Sequence, residues 1–147
     1  MPLWGRPAGA GDGTQDAVHG RVNNYQDLVV WQVADQLRTE IYRLLKTDSA
    51  ARDFQFANQL RRSVSGIAPN IAEGFRRYGP KEFVRYLDFA FGSAGETADW
   101  LDDGIARGHW SETDLVAART LLRRLNVGLT RLMKYLRSPA AKANAGR

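Results

Sequence analysis

The sequence contains no cysteine and only two histidines. The first absence excludes a disulfide framework, a thiol nucleophile and every Cys-containing metal site. His19 and His109 stand too far apart to share a ligand spacing, so no metal is expected. Enzyme motifs are missing as well: there is no Gly-x-Ser-x-Gly, no P-loop and no dinucleotide fingerprint following a strand. Gly9, Gly11 and Gly13 only reflect the Gly-rich composition of the opening. Ser63, Ser65 and Ser93 have no histidine nearby in sequence that would activate them. No catalytic residue and no cofactor is therefore assigned, and an enzyme is not expected. Long hydrophobic runs are also lacking, since nothing approaches the ~18 uncharged apolar residues of a membrane span. The opening Met1–Arg6 has no apolar run after its charge, so a secretory leader is not expected there and a cytoplasmic location is.

What is present is a pattern. Of 147 residues, 44% are apolar and 25% charged, enough to bury the core of a single domain without disulfides or metals. Residues 1–24 are rich in Gly, Ala and Pro without apolar periodicity and read as a disordered extension. Residues 138–147 read as a flexible tail, with Pro139 stopping the helix before it. Residues 25–137 hold four segments of helical period. The first spans about 26–46, with Val30, Ala34, Leu37, Ile41 and Leu44 on one stripe. The second spans about 53–77, with Leu60, Val64, Ile67, Ile71 and Phe75 inside; Pro69 within it predicts a kink. The third spans about 81–107 along Phe83, Leu87, Ala90, Ala94, Leu101 and Ile105. Its small residues, Gly92 to Gly95, predict close approach of a neighbouring helix, because glycine costs ~1 kcal/mol inside a helix. The fourth spans about 112–137, capped by Ser111 with Asp114, and its seam is Leu115, Ala118, Leu122, Leu125, Leu129, Leu132 and Leu136. Four amphipathic helices with short connections predict an all-α, antiparallel up-down-up-down four-helix bundle, its second helix kinked at Pro69.

Charge is distributed unevenly over these helices. From Leu115 to Arg137 there is no acidic residue, while Arg119, Arg123, Arg124, Arg131, Lys134 and Arg137 all lie off the leucine seam. The third helix is the reverse: Lys81, Arg85 and Arg107 stand against Glu82, Asp88, Glu96, Asp99, Asp102 and Asp103. Three readings are open. The basic face is merely solvated, or it meets phosphates of RNA or DNA, or basic and acidic faces of different subunits meet in a ring. The second helix carries a further stripe, Arg62, Gly66, Asn70, Glu73 and Arg77, about 200° around from its apolar one. Gly66 and Pro69 are odd choices for an idle solvent face. We expect Arg62, Asn70 and Glu73, with Glu96 of the third helix, to form a structural polar network at a helix–helix or subunit contact. A di-iron site is not expected, because the Glu-x-x-His repeats it needs are missing.

Three stretches resemble a known family: Gln59–Arg77 (QLRRSVSGIAPNIAEGFRR), Lys81–Leu87 (KEFVRYL) and Gly92–Glu96 (GSAGE). With Tyr25, Asp27, Leu28, Trp31 and Gln32 before them, they resemble the bacterial four-helix bundle proteins named for the 23S ribosomal RNA intervening sequence. The resemblance runs from about Tyr25 to Arg137; the long N-terminal extension departs from it. That family is in turn similar to the accessory variability determinant of diversity-generating retroelements, a basic pentamer that assists a reverse transcriptase and binds nucleic acid. The resemblance implies a homopentamer, and RNA, DNA or a protein such as a reverse transcriptase as partners. It brings no catalytic residues. A protein–protein scaffold with no nucleic-acid role is the alternative.

Overall fold

In a computed structural model the described residues are 22–145, and every segment among them is helix or connection, with no strand. The extension of residues 1–21 and the last two residues lie outside the described part. Val22, ahead of the expected boundary at Tyr25, is already buried in the core.

After a single 3-10 turn at Tyr25–Asp27 comes α1 (Val29–Leu44), with Val30, Ala34, Leu37, Ile41 and Leu44 all buried. After it, Thr47 leads into a separate short helix, α2 (Asp48–Arg52). The expected second helix is two: α3 (Phe54–Ser65) and α4 (Ile67–Arg76). The discontinuity falls at Gly66, not at Pro69. A proline ring presses on the carbonyl four residues earlier, here that of Ser65, so the distortion appears one turn before the proline. Pro69 itself sits in the first turn of α4, where its missing N–H deprives no intrahelical bond.

The turn before α5 (Pro80–Ala106) is made by Gly79 at φ 96°, a left-handed conformation, with Pro80 opening the helix. The connection out of α5 uses Gly108 at φ 83°. Ser111 and Asp114 then form the expected reciprocal box: the Ser111 N–H donates to Asp114 Oδ2 (2.9 Å) and the Asp114 N–H to Ser111 Oγ (3.4 Å). The box opens a 3-10 turn, Thr113–Leu115, that runs into α6 (Val116–Leu136). Every seam residue from Leu115 to Leu136 is buried. The described part of the expected tail is helical at residues 139–145. Pro139 opens a further helix, α7 (Pro139–Ala145), because Ser138 Oγ accepts from the Ala141 N–H (3.3 Å) and Ala141 is buried.

The buried side chains of all the long helices form one hydrophobic cluster. Its close approaches are not where the small residues of α5 suggest. A Cβ added at Gly92 or Gly95 would meet nothing within 4 Å. At Gly104 it would stand 2.5 Å from the Trp110 ring and 2.9 Å from that of Phe56. At Gly74 it would lie 2.9 Å from Phe83 and Tyr86. Gly104→Ala should therefore lower stability by about 1–3 kcal/mol, the usual cost of overpacking. Gly92→Ala should raise it by up to ~1 kcal/mol through helix propensity. Paired urea titrations read both, and equal midpoints for the two variants would contradict this placement.

Candidate nucleic-acid interface

α6 turns ~100° per residue, which spreads its cations over an arc of roughly 140° opposite Leu125. Arg123, Arg124, Arg131, Lys134 and Arg137 are all exposed on that arc. Arg124, Arg131, Lys134 and Arg137 have no acid or hydrogen-bond partner among the described residues; Arg123 donates only to Thr120 Oγ1, at 3.3 Å. Arg119 does not belong with them. Its side chain is 23% exposed and spans Glu112 (2.9 Å) and Asp102 of α5 (2.6 Å). The bond to Glu112, followed by that to Asp102, holds its guanidinium above the ordinary arginine value despite partial burial. Arg119 thus fastens the start of α6 to the end of α5, a role invisible in a sequence that separates the two by 17 positions.

The residues expected to form a polar network do not bond to one another within the chain. Asn70 Nδ2 donates to the Gly66 carbonyl of its own helix at 2.9 Å. Glu73 pairs with Arg77 at 2.7 Å and lies 3.9 Å from Arg76. Glu96 accepts from Trp100 Nε1 at 3.5 Å, and Arg62 is exposed. On an outward stripe, residues one helical turn away are the nearest partners, and they take the bonds. The buried polar contact between the second and third long segments is instead Ser63 Oγ with Thr97 Oγ1, at 3.1 Å.

Sequence reasoning missed a second cluster at the far end of α5. His109 Nδ1 lies 2.9 Å from Ser49 Oγ, and its Nε2 lies 2.9 Å from Asp53 Oδ2. Asp53 caps α3 by accepting from the Phe56 N–H, and it also accepts from Arg107 at 3.0 Å. The imidazole is tilted against Phe56 at 5.0 Å between centroids. The order Ser–His–Asp is that of an acyl-transfer relay. Here the carboxylate is also shared with Arg107. The cluster ties α2, α3 and the α5–α6 connection together. Only the positions of two turns bring Ser49, Asp53 and His109 into contact, so no local spacing announces them.

The hydrogen bond from His109, then the Arg107 contacts, hold the Asp53 carboxyl below its ordinary value. A carboxylate with a lowered folded pKa adds stability above its unfolded value of about 3.9, and that stability is lost as pH falls through the folded one. Wild type should therefore be more stable than Asp53→Asn at pH 7, with the gap closing below about pH 4. Asparagine can keep the cap through its oxygen, while its amide nitrogen replaces the oxygen that accepts from His109 and Arg107, so the variant removes the charge together with those contacts. Urea midpoints across pH 3 to 7 check this, and a pH-independent gap would contradict it.

Taken together, the described residues define an all-helical protein with an exposed cationic helix face; no helix among them is long and apolar enough to cross a membrane. Residues 26–131 match the family model of the 23S rRNA-intervening sequence protein, and the chain belongs to that family. No curated protein sequence matches it.

Proposed function

We propose that the chain is a non-enzymatic, oligomeric four-helix bundle protein that holds nucleic acid by its phosphates through the outer face of α6. In this reading α1, the α3–α4 pair, α5 and α6 run up-down-up-down. The pairing of Arg119, near the start of α6, with Asp102, near the end of α5, supports antiparallel neighbours. The observation that carries the binding reading is the row Arg123, Arg124, Arg131, Lys134 and Arg137, exposed and free of acidic partners among the described residues. Cations left unneutralised on a rigid helix attract a polyanion and release its counterions. The family resemblance supports a homopentamer, in which copies of the face would add multivalency and in which Arg62, Asn70, Glu73 and Glu96 could meet across subunits. It also supports a protein partner such as a reverse transcriptase, and the cytoplasmic setting expected from the opening residues is kept in this reading.

The reading is tested by titrating the intact protein into labelled structured RNA and duplex DNA. With five phosphate contacts, affinity should fall by about two to three orders of magnitude between 50 and 200 mM salt, whatever the base order. Failure to bind at about 50 mM salt overturns it. A second reading, a docking surface for an acidic protein, is favoured by Val116 and Val127, 62% and 49% exposed in the middle of the same face. Capture of an acidic protein on this face, with no binding of nucleic acid at about 50 mM salt, would decide for it.

A further inference from the structure

The last α6 cations share one end of the molecule with a second basic group. Gly128 of α6 approaches α1 so closely that an added Cβ would stand 2.8 Å from Val30. Arg131, Lys134 and Arg137 therefore run past the start of α1, toward the end where the 3-10 turn holds Tyr25. The Tyr25 ring in turn lies under the Arg76 guanidinium, 4.8 Å from its centroid. Arg76 closes α4, and Arg77, Lys81 and Arg85 follow it around the turn into α5. Four of the six acids of α5, Glu96, Asp99, Asp102 and Asp103, lie in its second half, where Asp102 meets Arg119 and Asp103 meets Arg107, while Glu82 and Asp88 stay near the basic end.

Aromatic rings are interleaved with the cations at the basic end. Tyr78 is 86% exposed, and the fixed turn of Gly79 and Pro80 holds its backbone. The Arg77 guanidinium lies 5.1 Å from the Tyr86 centroid and donates to the Tyr86 hydroxyl at 2.9 Å. Arg85 lies 6.0 Å from the same ring and 5.4 Å from Phe89, which is 46% exposed. Glu73 and Glu82 pair with Arg77 and Arg85, but as exposed pairs one turn apart on a helix they are worth little, and a phosphate competes with them readily. Lys81 has no partner among the described residues. Bare cations suit any phosphate backbone. Exposed rings beside guanidinium planes suit bases that are free to leave a helix, because every base offers a face to stack.

We propose that this end of the molecule binds an unpaired stretch of nucleic acid, with Tyr78 and Phe89 stacking on bases while Lys81 and the last cations of α6 hold the adjoining phosphates. This rests on the phosphate-binding reading above and adds the class of ligand, single-stranded over duplex. The test uses the full chain and fluorescence anisotropy with three probes: a 12-nucleotide oligouridylate, an abasic strand of the same length and a 12-base-pair duplex. Wild type should bind the oligouridylate most tightly. Tyr78→Ala and Phe89→Ala should each weaken that binding by about tenfold, the range of one base–aromatic stack. Both should leave abasic-strand affinity and the salt slope unchanged, since neither residue is charged. If wild type binds the abasic strand or the duplex as tightly as the oligouridylate, or if both variants bind the oligouridylate like wild type, the stacking inference is wrong and the phosphate reading stands. If wild type binds none of the three, both fall.

Discussion

Leu125→Asp should leave the chain without a cooperative thermal transition. Leu125 is fully buried at the centre of the α6 seam, where α6 packs on α1 and α5. Removing a leucine from such a site costs about 2.7–5 kcal/mol through lost transfer energy and the cavity left behind. The aspartate adds a charge, and none of the cations of α6 can reach it, because all lie on the opposite side of the helix. An unpaired buried carboxylate costs several kcal/mol more, or takes up a proton and stays under-bonded. The sum rivals the whole stability of an ordinary domain, about 5–15 kcal/mol. Circular dichroism during heating should show a flat or greatly lowered transition. A sharp one within a few degrees of wild type would mean that the seam is not the core. Val127→Asp, two residues along on the exposed face, is the control and should shift stability by no more than about 0.5 kcal/mol.

Changing Arg123, Arg124 and Arg131 together to Glu should weaken nucleic-acid binding at least a hundredfold while sparing the fold. The three sites are exposed, and no acid pairs with them, so reversal breaks no ion pair. Each phosphate contact accounts for about 0.9 of the slope of log affinity against log salt on duplex DNA, so losing three should flatten that slope by about 2.7. At about 50 mM salt the affinity loss should be at least a hundredfold, before any repulsion from the new carboxylates. Sizing chromatography must show an unchanged assembly. Full binding by an intact variant would remove α6 from the interface. Arg119→Glu is a contrasting case: it breaks contacts to Asp102 and Glu112 and should act on stability instead.

The apolar stripes were legible because a buried helix face repeats every 3.6 residues, and that repeat survives in one dimension. Val30 to Leu44 and Leu115 to Leu136 needed nothing further to be placed inside. The Ser111–Asp114 box was legible for a similar reason, its partners being three residues apart. The break at Gly66 was anticipated in kind but displaced, because a proline acts on the turn before it. The helix after Pro139 was missed because the same residue that ends one helix can open the next once Ser138 caps it.

The sequence by itself determined the helical class, the buried faces, the family and the basic character of α6, since each depends on local spacing and composition. Tertiary structure alone decided which of those cations are free. Arg119 looks like its neighbours in the chain, yet Asp102 from another helix claims it. It also decided that Gly104, not Gly92, carries the tight contact, and that Ser49, Asp53 and His109 meet. Finally, it set the basic ends of α4, α5 and α6 beside one another. Those partners come from segments far apart in sequence, and the distance between such segments is set only when the helices pack.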